Sequence, residues 1–201
     1  MVTTSPSEKS LTCEEEKRLF KIVRQYGDVL ARRDRAWMEL MITLGIRVGT
    51  MAGMTVRDAK LAISRENLNV RREIAKRGLG YTVFVPKRGI SCLRVLLMIH
   101  REMGGSRNED DQLLINRRGK GITVRSLQLR AKYWAKMADL PEGFTTHWFR
   151  HTRAMRILEN SEAKEPLVEV ARLLGHTGIA SVMHYIRPTS EQLRESMERS
   201  Q

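Results

Sequence analysis

The sequence predicts a mainly α-helical protein (α+β) with one small antiparallel β-sheet. Apolar residues recur at helical spacing through most of the chain. Two short segments rich in β-forming residues flank a basic turn that contains glycine. The chain has 201 residues, of which 41% are hydrophobic. This size and composition predict one globular domain with short tails.

The first third of the chain begins with a polar tail and continues with two predicted helices. Residues 1–10 are expected to be a disordered tail. Thr12 and Glu15 have the spacing of a capping box, which predicts that a helix starts there. The basic residues 32–35 are predicted to link this helix to a second one, whose apolar face lies within residues 37–44.

The middle of the chain carries the predicted sheet. Glycines within residues 45–53 predict a bend after the second helix. Two strands are predicted over residues 69–74 and 81–85, with the basic turn 75–80 between them. A helix that ends at Gly104 follows, then an apolar piece at 113–115, a turn at 117–121 and a helix through residues 127–137.

The last third is predicted to be almost wholly helical. Thr145 or Thr146 should cap a helix over residues 147–158. Pro166 is expected to start the next helix, and Gly175 is expected to end it. Two further short helices are predicted over residues 179–185 and 190–197.

The net charge gives the first indication of function. The chain has 36 basic and 23 acidic residues, which leaves +13. This surplus favours a polyanionic partner: nucleic acid is the leading candidate and an anionic membrane surface the second. A merely solvated basic surface is the alternative. Aromatic residues make up 5% of the chain, which weakens a role in binding single strands by base stacking.

Composition also excludes several classes of protein. No apolar run approaches the length of about 18 residues that a transmembrane helix needs, and the polar start does not have the pattern of a signal peptide. Two cysteines are too few for a disulfide framework or a Cys-rich metal site. The composition therefore predicts a protein of a reducing, intracellular compartment, the cytoplasm.

Three segments place a cation or an imidazole beside apolar residues that should be packed. They are Gly45-Ile46-Arg47, His147-Trp148-Phe149-Arg150-His151, and Leu174-Gly175-His176 with Tyr185 nine residues later. A buried guanidinium needs an anionic partner, and few carboxylates stand near either arginine in the sequence. An external phosphate would satisfy both, because arginine binds phosphate through paired hydrogen bonds.

Together these segments resemble the tyrosine recombinase (phage integrase) family. The match lies in Leu44-Gly45-Ile46-Arg47, in His147-Trp148-Phe149-Arg150-His151-Thr152, and in Leu173-Leu174-Gly175-His176-Thr177 leading to Tyr185. Their order and spacing follow the family pattern. The resemblance covers residues 11–186 and implies the fold of that family's catalytic domain. Residues 187–201 would then be either a helical tail that docks on a neighbouring protomer or a solvated tail.

The resemblance also implies a mechanism and a set of site residues. Tyr185 would be the nucleophile that forms a 3′-phosphotyrosyl link to DNA. Arg47 and Arg150 would hold the non-bridging phosphate oxygens, and His147 and His176 would add hydrogen bonds. Lys76 is the candidate general acid, with Arg77 and Lys87 as rivals. No cofactor and no metal ion are implied.

The implied partners are double-stranded DNA and further copies of the chain. The family works with two subunits per DNA site and a tetrameric synapse, in some cases beside an accessory DNA-binding protein. The outcome would be integration, excision or inversion. A prokaryotic or mobile-element protein associated with the nucleoid is expected.

The sequence departs from the family pattern at three places. Thr50 stands where the family usually has an acidic residue, although Asp58 matches another common acidic position. The stretch between Arg150 and His176 is longer than usual, with the extra residues placed within 160–166. Only about ten residues precede the first helix, so no separate N-terminal core-binding domain is expected. The chain is either a short member, like the fimbrial phase-variation recombinases, or a fragment.

Three other functions are alternatives to recombination. The first is a non-catalytic DNA-binding regulator on the same fold, and the second is a type IB topoisomerase-like enzyme. The third is a zinc hydrolase, because His147 and His151 stand four residues apart on one helix. The sequence lacks a His-Glu-x-x-His pattern, which argues against zinc.

Overall fold

The computed structural model describes residues 9–174 and residue 198 of the chain, and these are mainly helical. The helices are α1 (Cys13–Arg24), α2 (Val29–Leu44), α3 (Val48–Gly53), α4 (Val56–Arg65), α5 (Lys87–Glu102), α6 (Val124–Met137), α7 (His147–Asn160) and α8 (Pro166–Leu173). Two strands, β1 (Asn67–Val70) and β2 (Tyr81–Phe84), form one antiparallel sheet. The predicted fold class is confirmed.

Helix α1 begins with the predicted capping box. The Thr12 hydroxyl accepts a hydrogen bond from the Glu15 amide at 3.2 Å, and the Glu15 carboxylate accepts one from the Thr12 amide at 2.8 Å. Both backbone donors at the helix start are thereby satisfied. Leu19, Phe20 and Val23 then lie on the buried face of the helix.

The charged cluster at 32–35 belongs to α2, so the prediction that it links two helices was wrong. Asp28 caps this helix by accepting hydrogen bonds from the amides of Leu30 and Ala31. Arg33 and Asp34 are buried within it. The sequence predicts an exposed link because charged residues are seldom buried unless they are paired. Arg33 and Asp34 pair with each other, and their remaining partners, among them Arg130, come from distant segments.

The carboxylate of Asp34 is fully buried and joins α2 to α6. One oxygen accepts hydrogen bonds from Arg33, at 2.8 and 3.2 Å, and from the Trp37 indole at 3.2 Å. The other accepts from Arg130 at 2.6 Å and from the Trp134 indole at 3.0 Å. The buried charge is therefore paired and hydrogen-bonded, the condition under which burial is tolerated.

The first strand lies earlier than predicted. It spans Asn67–Val70 rather than residues 69–74, and it pairs with β2 in the register Asn67↔Phe84 to Val70↔Tyr81. After Val70 the chain leaves the sheet and forms two short 3₁₀ turns, Arg72–Ile74 and Lys76–Gly78. Directly after the strand, the Arg71 side chain forms an ion pair with Asp58.

The glycine-containing bend predicted over residues 45–53 holds a short helix, α3. Gly45 ends α2 with a left-handed backbone, φ +66°. Glycine adopts this conformation with little steric cost, which allows the chain to turn directly into α3. Helix α4 follows, and Thr55 and Asp58 form a capping box at its start.

The C-terminal part of the described chain packs α7 against the rest of the core. Helix α7 begins at His147 as predicted, and Thr146 is its N-cap. The Phe149 ring packs edge-on against Trp37 of α2, with the ring centroids 6.2 Å apart. Helix α8 starts at Pro166 as predicted. The helices predicted over 179–185 and 190–197 lie outside the described residues.

None of the helices formed by the described residues is long and apolar enough to span a membrane.

Replacing Asp34 with asparagine should lower the free energy of unfolding by about 3–5 kcal/mol, the range for breaking a buried ion pair. The variant leaves Arg33 buried without its counter-charge and points an amide donor at groups that are themselves donors. Chemical denaturation of both proteins measures the difference.

Asp139→Asn is the matched control for this substitution. Asp139 is exposed and has a positive φ of 50°, which asparagine also tolerates. A loss in the Asp34→Asn protein no larger than the loss in this control would show that the Asp34 carboxylate does not hold α2 to α6.

Candidate active site

Arg150 lies on the buried side of α7 and contacts two distant backbone segments. Its side chain is 3% exposed. One Nη donates to the Gly45 carbonyl at 2.6 Å, and the other donates to the Leu174 carbonyl at 2.8 Å. The guanidinium therefore ties the α2–α3 turn to the end of α8, and these two bonds fix its plane.

The α2–α3 turn has no space for a larger residue at Gly45. A Cβ there would collide with the side chain of Leu174 and come within 3.1 Å of Arg153. The positive φ and the close approach both require glycine at this position. This is the physical reason for the Gly45-Ile46-Arg47 motif: the glycine lets the backbone reach the guanidinium of Arg150.

Arg47 is placed by the same turn, as the residue before α3. Its backbone is extended, with φ −76° and ψ 152°, and its side chain is partly buried without bonding to the helix start. Among the described residues, no carboxylate pairs with its guanidinium and no group accepts a hydrogen bond from it. An arginine in this state is suited to bind an anion from outside the chain.

Lys76 lies in the segment between β1 and β2, at the start of the second 3₁₀ turn, and is exposed. The segment is anchored where it leaves β1. Arg71 makes a two-point ion pair with Asp58 of α4, at 3.0–3.2 Å, and donates to the Gly53 carbonyl at 3.3 Å. The hydrogen bond with Asp58 raises the pKa of Arg71 above its ordinary value.

The pKa of His147 is influenced by three other predicted site residues. His147 is the first residue of α7 and keeps an edge exposed to solvent. Desolvation by the surrounding protein lowers its pKa, and the positive charges of Arg150, Lys76 and Arg47 lower it further. The ordinary value is 6.5, so the imidazole is neutral at neutral pH. A neutral ring can donate one hydrogen bond and accept another.

The rivals of Lys76 are less well supported by position. Lys87 is the exposed first residue of α5, and its charge is not among those that act on His147. Arg77 belongs to the same 3₁₀ turn as Lys76, but its side chain lies outside the described part of the structure. His176 and Tyr185 also lie outside the described residues.

Sequence reasoning missed Arg71 and left Asp58 without a role, although their ion pair anchors the segment that carries Lys76. The ion pair between Arg71 and Asp58 joins groups 13 positions apart, and neither residue stands in a catalytic motif. The usable signal was the Thr55-x-x-Asp58 capping spacing, which places Asp58 at the start of a helix. Among the described residues, no cluster of histidine, cysteine, aspartate and glutamate could hold a metal ion.

Similar proteins were found in curated sequences. The tyrosine recombinase XerC of Shewanella amazonensis is 32% identical over 158 residues, covering 79% of this chain and 50% of the relative. The XerC protein of Listeria welshimeri is 30% identical over 186 residues, covering 91% and 59%. The chain thus spans about half the length of the curated relatives it matches.

Solved structures share the fold. The crystal structure of XerA recombinase has a TM-score of 0.70 at 20% identity, covering 96% of this chain and 65% of that one. The Tn1549 transposon integrase in complex with transposon right end DNA has a TM-score of 0.73 at 16% identity, covering 94% and 65%.

The family model described as the phage integrase family matches residues 9–192, which include all three motif segments and nearly the whole chain. This chain belongs to the phage integrase family.

Proposed function

We propose that this chain is the catalytic part of a site-specific DNA recombinase, which cleaves and rejoins duplex DNA through a 3′-phosphotyrosyl intermediate. The observation that carries the proposal is a cluster in which the positive charges of Arg150, Lys76 and Arg47 act on the imidazole of His147. Membership of the phage integrase family supports the same activity.

The cluster is suited to a phosphate because its charges repel one another. Several arginines of the scaffold are paired with carboxylates, as Arg33 and Arg130 are with Asp34. Within the described ranges, 9–174 and 198, neither Arg47 nor Lys76 has such a partner. A scissile phosphate would relieve the repulsion, and its developing charge would be stabilised in the transition state.

The reaction assigns a role to each group. The Tyr185 oxygen attacks the scissile phosphorus, and the bond from phosphorus to the 5′-oxygen breaks. Arg47 and Arg150 hold the non-bridging oxygens, while His147 and His176 donate hydrogen bonds and take up the phenolic proton. Lys76 gives a proton to the leaving 5′-oxygen. Religation is the reverse, and the covalent link conserves the phosphodiester energy.

The partners proposed are duplex DNA and further copies of the chain. The XerH site-specific recombinase is bound to its difH substrate in one similar structure, and a lambda integrase dimer is bound to a core site in another. By this likeness we assign two subunits per DNA site and a tetrameric synapse, with residues 11–186 as the catalytic unit and 187–201 as a docking tail. The proposal also includes an accessory DNA-binding protein as a partner. It places the protein at the bacterial nucleoid.

Replacing Tyr185 with phenylalanine should abolish covalent attachment to DNA and leave non-covalent binding nearly unchanged, because only the attacking oxygen is lost. The protein is incubated with sheared genomic DNA of its source in EDTA and denatured in SDS, and the DNA that remains attached is sequenced. Wild-type protein should enrich one site.

Tyr133→Phe is the matched control, since Tyr133 is an exposed tyrosine that packs against Trp134. This variant should form the adduct normally. An adduct in the Tyr185→Phe protein would contradict the assignment of the nucleophile. Salt-sensitive binding without any wild-type adduct would instead favour a DNA-binding regulator on the same fold.

Replacing Lys76 with methionine should slow cleavage by about 10²–10⁴-fold, the usual contribution of a general acid. A substrate with sulfur in place of the 5′-bridging oxygen should restore the rate nearly to that of the wild type. The reason is that a thiolate is a much better leaving group than an alkoxide and needs no proton. Single-turnover cleavage of the captured site, in its oxygen and sulfur forms, measures both effects.

Lys87→Met serves as the control because Lys87 is a rival cation at the start of α5. It should cleave both substrates at the wild-type rate. If Lys76→Met is equally slow on the two substrates, Lys76 does not protonate the leaving group.

In the free protein, desolvation lowers the pKa of His147, and the charges of Arg150, Lys76 and Arg47 lower it further. A bound phosphate offsets these charges, so DNA binding should raise this pKa. The complex therefore takes up a proton, and affinity should increase as pH falls between the pKa of the bound form and that of the free form. Binding of the Tyr185→Phe protein to the captured site, measured across this range, gives the slope.

The same titration with His147→Asn added isolates the contribution of this residue from other titrating groups. The second variant should show a smaller slope. Equal slopes in the two proteins would mean that His147 does not gain a proton on binding.

A further inference from the structure

A buried threonine of helix α3 contacts the segment that carries Lys76. Thr50 is 1% exposed, and its hydroxyl donates to the Ile74 carbonyl at 3.2 Å. Ile74 is two residues before Lys76 in the chain. The bond therefore fixes the backbone immediately ahead of the candidate general acid.

Packing at the other end of α3 reinforces this contact. The Ile74 side chain lies so close to Gly53 that a Cβ on the glycine would collide with it. Because Ile74 is held by its carbonyl and by its side chain, the loop has little freedom to move along α3.

Thr50 also stands at a fixed distance from Arg47. Arg47 is the N-cap of α3 and Thr50 is three residues later. Residues three apart on a helix are neighbours, with Cβ atoms about 5–6 Å apart. The short helix therefore sets the distance between the arginine and the lysine loop.

Threonine supplies a donor that an acidic residue at this position would lack. A carbonyl oxygen can only accept a hydrogen bond, and an ionised carboxylate also only accepts. A carboxylate at position 50 could not bond to Ile74, whereas a hydroxyl donates to it.

We infer that Thr50 is a positioning residue for proton transfer: its bond to Ile74 holds Lys76 where it protonates the leaving 5′-oxygen. This inference rests on the proposed recombinase function. Thr50 touches neither the phosphate nor the leaving group, so its influence passes through the position of Lys76.

Thr50→Val tests the inference, because valine keeps the shape of threonine and removes the donor. Cleavage of the oxygen substrate should slow about tenfold, the rate factor that corresponds to one lost hydrogen bond. Cleavage of the 5′-thio substrate should stay near the wild-type rate, because that leaving group needs no proton. DNA affinity should be unchanged, and Thr50→Ser should restore cleavage of the oxygen substrate.

A double variant provides a second measurement. Thr50→Val should add no further loss to Lys76→Met, because both act on the same proton transfer. Should the valine protein unfold, Thr50→Ala removes the same donor and is measured against Thr50→Ser.

The possible failures are distinguishable. If wild-type protein cleaves neither substrate, the proposed function fails. If the wild type cleaves both and Thr50→Val is equally slowed on both, or is not slowed on either, the positioning role of Thr50 is overturned while the recombinase function stands.

Discussion

The site depends on the two hydrogen bonds that Arg150 donates to backbone carbonyls. Gly45 and Leu174 are 129 residues apart in the sequence, and the guanidinium of Arg150 lies between them. The bond to Gly45 fixes the turn from which Arg47 extends, and the bond to Leu174 fixes the end of α8. A residue expected to bind phosphate thus also assembles the framework, so its removal affects folding as well as chemistry.

The buried carboxylates of the scaffold are paired, whereas the site is cationic. Asp34, Asp58 and Glu16 are buried, and each is paired with at least one arginine from another segment. These pairs satisfy the buried carboxylates within the chain. At the site, desolvation and then the charges of Arg150, Lys76 and Arg47 lower the pKa of His147. The same positive charges attract an anion.

The parts of the fold that could be predicted are those with local signals. The capping box at Thr12 and the proline at 166 correctly placed the starts of α1 and α8. The local sequence signals failed where contacts between residues far apart in the chain determine the structure. Asp34 looked like part of an exposed basic link because its partners Arg130 and Trp134 lie about a hundred positions away. Likewise, the motifs selected Arg47, His147 and Arg150, but not the contacts that orient them.

The short length of α3 links the position of Arg47 to that of the loop that carries Lys76. The helix has six residues, so at about 1.5 Å per residue it spans only some 9 Å. Arg47 precedes its first turn, Thr50 binds the lysine loop, and Gly53 ends it against Ile74. A helix this short has little room to bend, so a shift of the loop must move Arg47 or break the bond to Thr50. In the proposed mechanism, this short helix couples Arg47, which holds the phosphate, to Lys76, which donates the proton.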